Sequence, residues 1–414
     1  MNKNIKNLIP SSTLRMNELS QQLEKAGQTI YKLGFGQSPF PVPTIMVRAL
    51  QQHAAEKSYL PPELRASVAN YYQRTQQLSC EAENILIAPG SKILLYAVQL
   101  AYDADLLLPA PSWVSYAPQA QIIGRKTHWL PTTEADGWRL SPAVLDAFCT
   151  HHSSRKILVL NYPNNPVGNT YTAEHLKALA AVAQKHNVIV LSDEIYGELK
   201  HNGEHVSIAQ FYPEGTIVTG GLSKWAGAGG WRFGTAVFPN ALKELQKVVQ
   251  TIASETYSST ASPIQYAAIE AYKEHPELET YRIHARRILT AIGTYIYQRL
   301  NDMGITTPKP EGGFYCFINF EQHRALLLSK GIKTSSELSE AALNEANVAM
   351  LPGVDFGRQP EELVFRIAYV DFDGEQALKA VNDSYPNKEL DIAFIKKYAP
   401  KMVGAMDSLA SWLK

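Results

Sequence analysis

The segment GGLSKWAGAGGWRFG at 220–234 contains the residues with the clearest potential for chemistry. Lys224 follows an apolar run and enters a loop that is unusually rich in glycine. A lysine amine can bond covalently to a carbonyl compound, although a lysine in a loop is more often a solvated surface charge. Arg232 lies eight residues later, where another apolar run begins. An arginine that enters a buried strand needs an anionic partner, so Arg232 marks a candidate anion site.

A second candidate anion site lies in APGSK at 88–92. Gly90 permits a tight turn after an apolar run, and the backbone N–H groups of Gly90, Ser91 and Lys92 then open a predicted helix. The N-terminus of a helix binds anions such as phosphate through these groups and through its dipole. The plainer interpretation is an ordinary strand-to-helix turn with a serine cap.

Polar residues also follow two further apolar runs. Asn165 lies in the turn-forming segment NYPNNPVG, and Asp193 and Tyr196 lie in SDEIYGE, where a buried strand is expected to end. An aspartate at that point is usually a helix cap. Glu194 and Glu198 beside it are expected to be solvated.

Four apolar runs of strand length precede these motifs, and helical stretches such as 91–102 and 172–187 separate them. The runs cover 84–89, 156–163, 187–194 and 215–221. Near-continuous Val, Ile and Leu strands that alternate with helices predict an α/β fold, a mostly parallel sheet with helices on both faces. Because such sheets bind ligands beyond the carboxyl ends of their strands, we expect the motifs to meet there.

The pattern changes after about residue 305. GGFYCFINF at 312–320 alternates like a strand of a half-exposed antiparallel sheet, a polar helix is predicted at 334–346, and the tail at 383–414 is helical. We therefore predict a smaller α+β domain after a larger one. The predicted boundaries are 1–45 for an N-terminal arm and part of the small domain, 46–304 for the large domain and 305–414 for the small C-terminal domain.

Composition excludes several classes of protein. The 414 residues are 45% hydrophobic and 19% charged, as in an ordinary globular enzyme. The chain has 39 Lys and Arg residues and 39 Asp and Glu residues, so its formal net charge is zero. It therefore lacks the excess of basic charge that favours binding to nucleic acid or anionic membranes. The three cysteines show no zinc-ligand or disulfide spacing. We expect a cytoplasmic protein with no metal site, no membrane segment and no nucleic-acid partner.

In their order along the chain, these motifs resemble those of pyridoxal 5′-phosphate (PLP) enzymes of fold type I, specifically the class I and II aminotransferases of the aspartate aminotransferase superfamily. The resemblance extends from LGFGQSPFPVP at 33–43 to LVFRIAYV at 363–370. NNPVG, SDEIY and SKxxxxxxWRFG in one order are far more specific than a single glycine-rich motif.

The resemblance assigns most candidate residues to the coenzyme. Lys224 would carry PLP covalently, because only lysine offers a primary amine on a long stem. Asp193 would keep the ring nitrogen protonated, and Asn165 and Tyr196 would donate hydrogen bonds to the ring oxygen. The phosphate would be bound by Gly90, Ser91, Lys92, Arg232 and Ser223. Gly221 stands where many relatives carry a phosphate-binding Ser or Thr, so one phosphate contact is either lost or moved to Ser223.

The resemblance also indicates how an amino acid would bind. Arg366 would hold the α-carboxylate together with the backbone of Gly36, since a guanidinium matches a carboxylate bidentately. Trp113 would stack on the coenzyme ring and, with Asn165, border the substrate. Tyr59 would reach the phosphate from a neighbouring subunit of a homodimer, although the segment after it is shorter than usual. No arginine for a distal carboxylate can be placed.

The implied function is a PLP-dependent aminotransferase that moves an amino group from an L-amino acid to a 2-oxo acid, by a ping-pong mechanism through pyridoxamine phosphate. A carbon–sulfur β-lyase, or another α-carbon PLP enzyme on this fold, would use the same residues and stays open. A PLP-binding sensor domain of a transcription regulator is disfavoured, because only one helix, at 11–27, is predicted before the motifs begin. A nicotinamide enzyme would need GxGxxG after the first strand, which APGSK does not supply.

Overall fold

The computed structural model describes residues 3–6, 8, 12–61 and 63–414. The strands are β1 (Tyr31–Lys32), β2 (Ile85–Ala88), β3 (Asp105–Ala110), β4 (Thr127–Pro131), β5 (Lys156–Asn161), β6 (Ile189–Asp193), β7 (Thr216–Gly221), β8 (Gly234–Val237), β9 (Tyr315–Asn319), β10 (Val348–Ala349), β11 (Leu351–Pro352) and β12 (Val364–Ala368). The helices are α1 (Ser12–Lys25), α2 (Thr44–Gln52), α3 (Leu64–Gln76), α4 (Ser91–Ala101), α5 (Tyr116–Ile122), α6 (Pro142–His151), α7 (Ala173–Lys185), α8 (Lys243–Thr256), α9 (Ser262–Tyr272), α10 (Pro276–Asp302), α11 (Arg324–Ser329), α12 (Ser335–Ala346), α13 (Gly374–Ser384), α14 (Ile392–Tyr398) and α15 (Pro400–Trp412).

The larger sheet has seven strands in the order β2-β8-β7-β6-β5-β3-β4. Strand β8 runs antiparallel to both of its neighbours, and the other pairings are parallel. Its central strands are buried at every position because helices cover both faces. Leu94 of α4 packs with Leu106 of β3 on one face, and Leu176 of α7 packs with Leu107 on the other. The predicted α/β fold is confirmed.

The register of this sheet sets polar residues side by side at one edge. Asn161 at the end of β5 pairs with Asp193 at the end of β6, and Asp193 pairs with Thr219 on β7. Lys224 follows three residues after the end of β7. Since these strands are parallel, their carboxyl ends lie together, as expected for a ligand site in this fold.

The smaller sheet is antiparallel, with the order β11-β12-β9. The prediction that the strand at 312–320 would be half-exposed is wrong, because four of the five residues of β9 are buried. Ile318 packs into a cluster with Ile292 of α10, while Phe317 packs with Phe356 on the opposite side. Both faces of β9 are therefore covered by distant segments.

The two ends of the chain meet around this smaller sheet. Strand β1 pairs with β10, and the helical tail packs Phe394, Met402 and Leu409 into the same cluster as α10. The helix predicted at 11–27 corresponds to α1, and Ser11 lies outside the described residues. The division of the chain at residues 45 and 304 stays a prediction. None of the described helices has the length and hydropathy needed to cross a membrane.

Candidate active site

A cavity of about 560 Å³ opens at the carboxyl edge of the larger sheet. Gly90 adjoins it, since a Cβ there would clash with the Arg232 guanidinium, so glycine leaves room for that side chain. Tyr59 does not line this cavity; it is 76% exposed and lines a different cavity. The predicted residues that line the cavity are Gly36, Ser91, Lys92, Trp113, Asn165, Asp193, Tyr196, Ser223, Lys224, Arg232 and Arg366.

Lys224 lies in the loop between β7 and β8. Its Nζ donates a hydrogen bond of 2.9 Å to the carbonyl of Gly36 and lies 5.4 Å from the ring centre of Tyr196. Directly before this loop, a Cβ at Gly221 would lie 2.6 Å from the carbonyl oxygen of Phe233. A side chain is thus sterically excluded at position 221, which explains the absence of Ser or Thr there.

Asp193 is buried at the end of β6. Its Oδ2 accepts a hydrogen bond of 2.6 Å from the hydroxyl of Tyr116, and its Oδ1 lies 3.4 Å from the hydroxyl of Thr219. Burial raises the pKa of Asp193 to about 6, although the bonds from Tyr116 and the Ile195 N–H oppose the shift. The amide of Asn161 donates to the Asp193 carbonyl and fixes the strand end. A carboxylate in this setting favours a cationic or proton-donating partner.

Arg366 on β12 is only 1% exposed, so its charge is buried as the sequence predicts. Its guanidinium donates to Asn165 Oδ1 at 3.2 Å and to the Gly34 carbonyl at 2.5 Å, and its carbon lies 4.8 Å from the ring centre of Tyr315. Burial lowers its pKa, and its Nε has no hydrogen-bond partner among the described residues. A buried guanidinium with an unused donor is suited to a carboxylate ligand.

Away from Arg366, the cavity is lined by three cationic side chains and by the N-terminus of helix α4. Helix α4 begins at Ser91 directly after Gly90, as predicted. The prediction that Arg232 enters a strand is wrong, because it precedes β8 in a left-handed conformation with φ of 52°. It donates to the carbonyls of Gly229 and Pro89, which leaves its charge available to an anion.

Lys92 is the second cation, and Lys224 is the third. The Nζ of Lys92 lies 4.8 Å from the ring centre of Trp113. Burial lowers the pKa of Lys92, and the charges of Arg232 and Lys224 lower it further. Such mutual repulsion among cations is relieved when an anionic ligand binds beside them.

Glu194 and Glu198 are not solvated, in contrast to the prediction. Glu194 accepts hydrogen bonds from His205 at 2.8 Å and from the Ser207 hydroxyl at 2.6 Å. Burial alone would raise the pKa of Glu194, but these partners hold it below its usual value. Glu198 pairs with Arg286 at 2.9 Å. Both carboxylates anchor the turn after β6, which carries Tyr196.

Sequence reasoning missed Tyr116, Asn161 and Tyr315. Tyr116 lies three residues after Trp113 at the start of α5, and Asn161 ends a strand in the same way as Asp193. The strand-end argument applied to Asp193 would have identified Asn161. Tyr315 has no comparable signal, because its hydroxyl approaches Tyr196 only through tertiary packing, at 2.8 Å.

These residues fit PLP. Two lysine amines, two guanidinium groups and one buried carboxylate line a single cavity, and PLP needs an amine for its aldehyde, an acid for its ring nitrogen and cations for its phosphate. In the described part of the chain, Lys224 and Arg232 hydrogen-bond only to carbonyl oxygens. The clash that a Cβ would cause at Gly90 shows that the backbone there is closely matched to Arg232.

Comparison with known proteins agrees with this geometry. Residues 28–382 match the family model described as aminotransferase class I and II. An aspartate aminotransferase of Geobacillus stearothermophilus is 33% identical over 371 residues, which cover 86% of this chain and 91% of that protein. An asparagine–oxo-acid transaminase of Streptococcus mutans is 32% identical over 380 residues, 87% of this chain and 92% of that protein.

A solved structure leads to the same conclusion. The aspartate aminotransferase of Thermus thermophilus with maleate superposes with a TM-score of 0.85 at 25% identity, over 99% of both chains. The family match covers well over half of the chain, and relatives above 30% identity cover most of it. The chain therefore belongs to the class I and II aminotransferases, and it is a PLP-dependent transaminase of amino acids and 2-oxo acids.

Proposed function

We propose that the cavity at the sheet edge is the transamination site, with Lys224 as the catalytic amine and Asp193 as the partner of the coenzyme ring. The observation that carries this proposal is a lysine amine whose one hydrogen bond within residues 12–61 and 63–414 goes to the Gly36 carbonyl, in the same cavity as a buried carboxylate with a pKa of about 6. Few pairs of side chains suit an aldehyde and a basic ring nitrogen together.

When bound, PLP supplies an aldehyde for a primary amine and a ring that withdraws electrons from the α-carbon of the amino acid. Lys224 Nζ would hold the aldehyde at rest and, once the substrate amine has replaced it, would carry the proton from the α-carbon to the former aldehyde carbon, on the far side of the amino nitrogen. Asp193 would hold a proton at the ring nitrogen, and Asn165 and Tyr196 would donate hydrogen bonds to the ring oxygen. Ser91, Ser223 and the α4 N-terminus hold the phosphate with Arg232.

Arg366 and Gly36 orient the substrate. The guanidinium binds the α-carboxylate of either the amino acid or the 2-oxo acid, which explains how one site serves both half-reactions. Trp113 covers the ring face and helps to exclude water from the reacting atoms. The buried position of Arg366 strengthens this interaction because water does not screen it.

A test of the lysine assignment uses borohydride reduction of the protein with PLP, followed by peptide mass spectrometry. We expect the label on Lys224, and we expect Lys224→Ala to lose both the label and transamination. Lys177→Ala, a change at an exposed lysine of α7, is the control and should retain both. Labelling of a different lysine in the wild type would contradict the proposal.

We propose an acidic amino acid such as L-aspartate as the preferred donor. The relatives named aspartate aminotransferase support this choice, as does the cationic Lys92 side chain in the cavity wall. Single amino acids mixed with the PLP-loaded protein should bleach its visible absorbance, aspartate most efficiently. In Lys92→Gln, which keeps the backbone N–H, KM should rise more for aspartate than for alanine. An equal rise for both would contradict the assignment.

We also propose a homodimer in which Tyr59 reaches the phosphate site of the partner. Support comes from the position of Tyr59, which is 76% exposed beside a cavity of about 420 Å³ and lies outside the catalytic cavity of its own chain. Sedimentation should give twice the mass of the 45.9 kDa chain, and Tyr59→Phe should weaken PLP binding. A monomer with unchanged affinity would contradict this. A cytoplasmic location stays a prediction.

A further inference from the structure

Tyr315 occupies a position shared by several parts of the candidate site. It begins β9, is 1% exposed, and lines the catalytic cavity. Its hydroxyl lies 2.8 Å from the hydroxyl of Tyr196, and its ring lies 4.8 Å from the guanidinium carbon of Arg366. A Cβ at Gly36 would clash with the same hydroxyl. The Tyr315 side chain thus contacts Tyr196, which is proposed to bind the coenzyme, and also Arg366 and Gly36, which are proposed to bind the substrate carboxylate.

The number of available hydrogen atoms decides which way the Tyr196–Tyr315 hydrogen bond must run. A tyrosine hydroxyl carries one hydrogen and can accept further bonds. If Tyr196 donates its hydrogen to the ring oxygen of PLP, it has none left for Tyr315. Because the two hydroxyls are buried at hydrogen-bond distance, Tyr315 must then be the donor.

We propose that Tyr315 is a positioning residue, whose hydroxyl donates to Tyr196 and directs the Tyr196 hydrogen to the coenzyme ring oxygen. This rests on the proposed role of Tyr196 in binding that oxygen. A bond accepted by Tyr196 also polarises its own O–H, because hydrogen bonds in a buried chain strengthen one another. The anionic ring oxygen is thereby stabilised, and the proton shared with the lysine nitrogen is released at lower pH.

The ring and the hydroxyl of Tyr315 have separate effects. The ring packs against Arg366 through a cation–π contact, whereas only the hydroxyl reaches Tyr196. Tyr315→Phe removes the hydroxyl and leaves the ring, so the variant should fold and bind the substrate carboxylate normally. KM should therefore change little, while the protonation of the lysine-bound coenzyme changes.

The test is a pH titration of the visible absorbance of the PLP-loaded protein, which needs no turnover. We expect Tyr315→Phe to raise the midpoint by about 0.5 to 1 pH unit, which corresponds to the free energy of one hydrogen bond. Tyr196→Phe should raise it further, and adding Tyr315→Phe to Tyr196→Phe should change nothing more. Tyr369→Phe is the matched control, since it removes another fully buried tyrosine hydroxyl that donates to the Gly313 carbonyl.

Each result has one interpretation. The proposal for Tyr315 would be overturned if Tyr315→Phe left the titration midpoint unchanged. It would also be overturned if Tyr315→Phe shifted the midpoint equally with Tyr196 and with Phe at position 196, or if Tyr369→Phe shifted it as much as Tyr315→Phe does. If Tyr196→Phe shifts the midpoint while Tyr315→Phe does not, the site assignment stands and only this inference fails. If Tyr196→Phe has no effect, the assigned role of Tyr196 fails first, and the inference fails with it.

Discussion

Replacing Asp193 with asparagine should stabilise the coenzyme-free protein at neutral pH while it abolishes efficient catalysis. The carboxylate is buried, and its pKa is raised to about 6 from an ordinary value of 3.8. The folded protein therefore binds a proton at Asp193 more tightly than the unfolded chain does. This proton stabilises the folded state below pH 4. The stabilisation is lost as the pH rises from about 4 to 6, because the carboxyl group then ionises, first in the unfolded chain and then in the folded protein.

The magnitude follows from the shift. The rise in the pKa of Asp193 from 3.8 to about 6 corresponds to about 3 kcal/mol of folding free energy, which the wild type loses between pH 4 and pH 7. Asparagine has no such titration. Only one of its two polar atoms is an acceptor, so one of the hydrogen bonds that Asp193 accepts from the hydroxyls of Tyr116 and Thr219 is lost, which costs about 1 kcal/mol at every pH. The difference between variant and wild type should therefore grow by about 3 kcal/mol across this range.

Denaturant unfolding of coenzyme-free wild type and Asp193→Asn at several pH values measures this difference. All other titrating groups are common to both proteins and cancel. With PLP bound, the order should reverse, because the carboxylate then pairs with the protonated ring, and kcat of the variant should fall by several orders of magnitude. A stability difference that does not depend on pH would refute the reasoning, as would near-normal single-turnover rates in the variant.

Three further substitutions test the same geometry. Tyr116→Phe removes the 2.6 Å hydrogen bond to Asp193 and should weaken PLP binding about tenfold at pH 7, because a hydrogen bond to a charged group is lost; equal affinities in a fluorescence titration would contradict this. Gly36→Ala places a Cβ against the Tyr315 hydroxyl and should raise KM for amino acids about tenfold or more without loss of the coenzyme spectrum, so an unchanged KM would be the adverse result. Arg366→Ala should raise KM about a hundredfold for every amino acid, and steady-state kinetics with normal KM would place the carboxylate site elsewhere.

The meeting of several motifs at one end of the sheet could be predicted from local pattern, whereas the roles of their residues came from the resemblance to the aminotransferase family. Asp193 and Lys224 each follow a continuous apolar run, and in a parallel sheet the ends of such runs converge. Ser91 begins helix α4 shortly after β2, as Gly90 before it and the spacing of apolar residues after it predict. These predictions depend only on period and on turn chemistry, which are local properties.

The errors share a physical cause. Glu194 and Glu198 were expected in solvent because a carboxylate is rarely buried without a partner. Their partners His205 and Arg286 lie 11 and 88 residues away along the chain, so no local pattern pairs them. Strand β9 was expected to be half-exposed for a similar reason, since α10 and the segment around Phe356 cover its two faces.

The sequence by itself determined the fold class, the family and the chemical types at the site, because these follow from hydrophobic period and motif order. Tertiary structure alone decided the protonation environment of Asp193 and the neighbours of Tyr196. The hydroxyl of Tyr116 reaches Asp193 from 77 residues away, and that of Tyr315 reaches Tyr196 from 119 residues away. Burial and hydrogen bonding depend on such distant contacts, so they emerge only when α5 packs on the larger sheet and β9 of the smaller sheet reaches the turn after β6.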